Sequence, residues 1–208
     1  MKSIKLFMVV CLLGIAATAS AQFANSSSSS SSSDASAWQG IRVSYVPVSI
    51  EADGGGSLDF TGFQAGYVKS FGISANLPLF IETGANLFYM TGEVGDTDMD
   101  MNMFSVSVPV NFGYKYAFSE TASIFPYVGA TLRGNILGKY KEDGESVSIF
   151  DDDLGDGWKA KRFQIGWQVG VAATFNQFVV GVSYGTDFNE IIEECKVATT
   201  TITVGYNF

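Results

Sequence analysis

Histidine is absent from this 208-residue chain, proline occurs four times, cysteine twice, and only 16% of residues are charged. Each scarcity excludes something. Without histidine, the Ser–His and Asp–His general-base arrangements on which small hydrolytic barrels rely cannot be built. Cys11 falls in the apolar leading segment, which leaves Cys195 as the one cysteine beyond it and the remaining chain without a disulfide framework. Asp and Glu number 21 against 12 Lys and Arg, a formal net charge of −9, and a surface of that sign does not bind nucleic acid. No run of about 18 apolar residues follows the leading segment, so no transmembrane helix is expected. The charge content nevertheless lies below the roughly 25% usual for soluble proteins, so part of the surface should face something other than water.

The leading segment reads as a secretory signal peptide over residues 1–21. Lys2 and Lys5 form a basic start, Leu6 to Ala17 an apolar core, and Ala19-Ser20-Ala21 a small-residue cleavage site. Val9-Val10 before Cys11 lacks the small residue of a lipoprotein box. Cleavage removes two lysines and takes the net charge to −11. Residues 22–36, with a serine tract from Ser26 to Ser33, can bury nothing and read as a flexible linker. Residues 37–208 remain for one domain.

That domain is dominated by one rhythm. In "RFQIGWQVGVAATF", Phe163, Ile165, Trp167, Val169, Val171, Ala173 and Phe175 alternate with Gln164, Gly166, Gln168, Gly170, Ala172 and Thr174. Period two is the signature of a strand with one greasy face. The same alternation recurs near 38–50, 58–74, 79–91, 99–117, 123–137, 178–186 and 197–208, which makes eight strands. Connectors are short after the second, fourth and sixth strands, and generally longer and acidic after the others. Greasy faces of ten residues or so have no cause in a soluble sandwich. A bilayer supplies one, because a tilted strand crosses its apolar core in roughly 9 to 11 residues. Unpaired backbone groups in hydrocarbon cost several kcal/mol each, so the sheet must close. The expected fold is all-β, an eight-stranded antiparallel up-and-down transmembrane β-barrel, with greasy residues toward lipid and polar residues inside.

The strand rhythm from Trp38 to Phe208, the stretch "VSVPVNFGYKY" and the terminal "TITVGYNF" resemble small Gram-negative outer-membrane barrels of the OmpX-like or PorT-like type. The resemblance implies a location in the outer membrane, with both termini periplasmic and outer-membrane lipid as surroundings. It also implies recognition of the last strand by the barrel-assembly machinery through Phe208, Tyr206 and Val204, with Ile202 continuing the pattern. The implied role is structural or surface-interacting, without enzymatic activity or cofactor, and with an unidentified surface or secretion partner. A narrow porin-like channel and a PorT-like component of a secretion apparatus are the alternatives.

Parity places Arg42, Glu82, Lys115, Arg133, Gln164 and Gln168 inside, with Gln64, Asn86 and Asn111. Three cations face one carboxylate there, so Glu82 should bridge Arg133 or Arg42 while amides satisfy the rest. Outside, Asp151, Asp153 and Asp156 invite calcium, which takes six to eight oxygen ligands. "DDDLGDG" lacks EF-hand spacing, however, and solvated loop charge is the simpler reading.

Overall fold

The computed structural model describes residues 37–52, 55–74, 76–93, 100–142, 145–150, 160–192 and 195–208. The expected leader and serine linker lie outside them, as do Asp151, Asp153 and Asp156. Eight long strands form the wall: β1 (Trp38–Ala52), β2 (Ser57–Gly72), β3 (Leu79–Glu93), β4 (Asp100–Tyr114), β6 (Ala122–Glu142), β8 (Phe163–Phe175), β9 (Phe178–Asp187) and β10 (Cys195–Asn207). Two short strands accompany β6: β5 (Tyr116–Ala117) and β7 (Glu145–Ser148). Every long strand pairs antiparallel with its chain neighbours, and β1 pairs with β10, so the sheet closes on itself. Strand edges, costly in hydrocarbon, are thereby removed.

Both chain ends of the barrel lie beside the tight turns: Gly40 pairs with Asn207, and the Phe208 amide donates to the Gln39 carbonyl at 2.9 Å. The turn between β8 and β9 is Asn176-Gln177, with Asn176 at φ 54°, a left-handed conformation that asparagine tolerates better than most residues. At the other end, the connection from β1 to β2 spans only 53–56, contrary to the long loop expected there. The strands themselves extend further, so the excess length is wall and not loop.

Outward residues form an apolar belt, with Ile41, Val43, Phe63, Leu87, Phe112, Val128, Phe163, Val180 and Val204 all about half exposed. On β4 it runs from Phe104 to Tyr114, the length a tilted crossing needs. Above the belt the polarity of the wall inverts. On β1, Ile41, Val43 and Tyr45 point out at 52%, 54% and 43% exposure, whereas Val46, Val48 and Ile50 point in at 2%, 2% and 8%. Outward positions there become Ser49 and Glu51 on β1, Asp59 on β2 and Lys139 and Lys141 on β6, as water requires.

Two irregularities sit at this boundary. Pro47 lacks an N–H, and the β1–β10 ladder skips from Tyr45↔Ile202 to Val48↔Thr199 around it. On β6 the register with β4 slips by one residue, so Ile136 and Leu137 both face outward, at 43% and 57% exposure. A bulge of this kind re-aims every later side chain. It turns Gly138 inward and Lys139 outward.

Candidate functional site

The interior is built in three layers, and only the middle one is polar. The expectation of a polar interior throughout is corrected at the loop end. There Val46, Val48, Phe60, Phe88, Met90, Met101 and Met103 from the strands enclose Ile149, Phe150 and Ala160 from the β6–β8 connection and Ile191 from the β9–β10 connection. The described parts of this connection, residues 145–150 and 160–162, cap the mouth. β7 pairs with β6, the Ile149 amide donates to the Gly138 carbonyl at 3.1 Å, and the Ala160 amide donates to the Ile149 carbonyl at 2.9 Å. Gly138 leaves the room that the Ile149 and Phe150 side chains occupy, since a Cβ there would force them to shift. The cause of this layer is the polarity inversion: strands standing in water on their outer face bury apolar residues on their inner one.

Beneath lies the polar layer. Arg133 meets Asp187 at 3.3 Å and stacks over the Phe88 ring at 5.3 Å. Arg42 donates to Asn207 Oδ1 at 2.7 Å and to its neighbour's carbonyl, Ile41 O, at 3.0 Å, and lies 3.9 Å from Glu82. The same oxygen, Glu82 Oε2, accepts from Trp38 Nε1 at 2.9 Å. Asn135 donates to Gln164 Oε1 at 3.0 Å and accepts from the Ser105 hydroxyl at 2.7 Å, while Gln168 donates to Asn111 Oδ1 at 2.6 Å. The Asn135 bonds link neighbouring strands, whereas the Arg133–Asp187, Arg42–Glu82 and Gln168–Asn111 contacts each reach over one intervening strand.

The expected bridge from Glu82 to Arg133 or Arg42 resolves to Arg42. Arg133 has a carboxylate of its own, Asp187, one residue past the expected end of its strand. The signal was present: Asp187 continues the inward parity of Val179, Gly181, Ser183 and Gly185. Lys115 is partly buried. It follows the end of β4, at the turn end, with its Nζ 5.3 Å from the Trp38 ring. Gln164 is fully buried and Gln168 partly so.

The third layer closes the turn end. Phe80, Phe125, Ala172 and Val179 are buried together, with Trp38 and Tyr127 against them. Trp38 and Phe80 meet edge to face at 4.7 Å, and Phe80 and Phe125 at 5.8 Å. Between the two apolar layers remains a cavity of about 100 Å³ bordered by Arg42, Glu82, Asn86, Arg133, Gln168 and Asp187. It is large enough for several waters. Asn86 Oδ1 and Gln164 Nε2 are buried without a protein partner, and water is the natural one for Asn86 beside the cavity. Among the described residues, no group of three or more His, Cys, Asp or Glu is placed to hold a metal ion.

No protein-family model matches the sequence, and no curated relative matches it. Among solved structures, the chain is similar to neisserial surface protein A, with a TM-score of 0.53, 12% identity, and 82% of this chain and 97% of that one covered. It is also similar to Ail, the attachment invasion locus protein of Yersinia pestis, at TM-score 0.48 and 19% identity over 83% of this chain and 99% of that one. The outer membrane enzyme PagL matches at TM-score 0.48 and 12% identity over 78% and 98%. At 12% identity, the likeness to neisserial surface protein A is one of fold alone: this chain forms a closed, eight-stranded antiparallel barrel of the kind found in small outer-membrane proteins.

Proposed function

We propose that the protein is a non-enzymatic outer-membrane barrel with a structural or surface-interacting role, its termini in the periplasm and its strand extensions outside the cell. The observation that carries this reading is the inversion of polarity along single strands, as from Val43 outward to Val48 inward on β1. Only a wall that leaves hydrocarbon and enters water has reason to exchange its greasy face in mid-strand. The projecting part is the surface on offer to a partner, and the apolar layers above and below the polar one argue against a conducting path. Both interior carboxylates are engaged by arginine, and the chain has no histidine to serve as a general base. Phe208, Tyr206 and Val204 point outward on the last strand, as an assembly signal read by the barrel-assembly machinery requires.

The test is migration of the purified protein in detergent gels with and without boiling, joined to protease treatment of intact cells. A fast unboiled band and cleavage confined to the loop end are expected. A processed chain that stays monomeric and compact in buffer without detergent would overturn the reading.

A further inference from the structure

The rim at the loop end carries exposed ionic residues on several strands. On β1 to β4, the described outward ionic residues are Glu51, Asp59, Glu93 and Asp100, all exposed. On the flank of β6 and the segment entering β8, the exposed ionic residues are Lys139, Lys141, Lys161 and Arg162. Lys196 on β10, across the ladder from Glu51, is exposed as well.

Of the four on the β6 flank, two stand beside acids. Lys161 pairs with Glu190 at 3.6 Å, and Lys141 stands across the ladder from Asp100. Lys139 differs, because its cross-strand neighbours are Asn102 on β4 and Ser148 on β7, both neutral. Asn102 Oδ1 already accepts from Tyr89 at 2.8 Å, which leaves its amide group to donate outward. Arg162 lies just below this row: its Nη1 donates to the Ile136 carbonyl at 3.2 Å, and its backbone carbonyl accepts from Asn135. A guanidinium has donors to spare after one such bond. Asn102, Lys139, Ser148 and Arg162 therefore form a patch of donors without a carboxylate among their described cross-strand neighbours.

Depth decides what this patch meets. Lys139 is two residues beyond Leu137, about 7 Å at the rise of a strand. Arg162 immediately precedes Phe163. Leu137 and Phe163 are the last outward apolar residues of their strands, at 57% and 53% exposure, and the bulge adds Ile136 beside Leu137. Cations within one or two residues of the hydrocarbon boundary stand at the level of lipid headgroups. The geometry points to a site for an anionic lipid, its phosphate held by Lys139 and Arg162 with Asn102 and Ser148, and one acyl chain laid against Ile136 and Leu137. This inference rests on the reading of the apolar belt as membrane-spanning. Arg162 also stacks over the Phe150 ring at 4.3 Å, so the bound phosphate sits one side chain away from the cap.

Native mass spectrometry of the protein released from maltoside micelles tests the site, with phosphatidylglycerol, phosphatidylcholine and inorganic phosphate as separate probes. Phosphatidylglycerol should be retained about fivefold or more above phosphatidylcholine, the order expected for a basic residue at a membrane surface. Lys139→Gln should remove most of that preference, and Arg162→Gln together with it should abolish the remainder. Lys69→Gln, on β2 near the turn end, should change nothing. Equal retention of the two lipids, undiminished preference in the double variant, or displacement by millimolar inorganic phosphate would each overturn the proposal. Heat-modifiable migration of every sample separates the two failures: a protein that migrates alike boiled and unboiled refutes the barrel, whereas a folded barrel without lipid preference refutes only the site.

Discussion

Asp187 shows what one residue carries here. It is 5% exposed and supplies the carboxylate that Arg133, itself 8% exposed, meets at 3.3 Å. Removing one member of a buried ion pair strands the other, a loss of about 3–5 kcal/mol, whereas replacing both by apolar residues of similar volume is often neutral. Asp187→Ala should lower the urea midpoint of the barrel in detergent by a corresponding amount, and Arg133→Met with Asp187→Leu should recover most of it. A single variant as stable as the wild type would show that water or Gln168 replaces the carboxylate. The residue was legible in principle, since it obeys the parity of β9. Its acidity, next to other acidic connectors, made it look like loop.

At the scale of the element, the exposed end of β8 is completed by a side chain. β9 ends at Asp187, and beyond it Asn189 Oδ1 accepts from the Ile165 amide at 2.8 Å while its Nδ2 donates to the Phe163 carbonyl at 2.9 Å. The Phe188 amide donates to Ile165 O at 2.8 Å between them. Asn189 thus imitates one further residue pair of ladder, at the depth where the wall leaves the belt. Asn189→Ala should cost about 1 kcal/mol and speed hydrogen exchange at Ile165. Asn189→Asp retains the acceptor, so it should protect the Ile165 amide while weakening the hold on Phe163. Equal exchange in all three proteins would mean that the contact contributes nothing. No periodicity announces such a device, because the residue lies past the end of the pattern. The bulge at Ile136 escaped for a related reason: a one-residue slip is defined by its partner strand, which sequence order alone does not supply.

For the whole molecule, the decisive feature is two seals in series. The cap residues Ile149 and Phe150 close one end and Phe80 and Phe125 the other, with the polar layer between them. Planar-bilayer recordings of the wild type should therefore show no stable steps. Ile149→Gly with Phe150→Gly should remain silent, as should Phe80→Ala with Phe125→Ala, and only the fourfold variant should conduct. Conduction by the wild type, or by either double variant alone, would refute the arrangement.

The amino-acid sequence alone determined the number of strands, their order and which residues face lipid, because period two is a local property and the length of each greasy run is set by bilayer thickness. It also placed Arg42, Glu82, Arg133 and Gln164 inside by parity. The tertiary structure decided the rest: which carboxylate each arginine meets, where polarity inverts, that the β6–β8 connection plugs the mouth, and which cations share one flank. Those facts depend on strands brought together by closure, and the order of residues along a chain does not encode distance across a barrel until the register of every pair is fixed.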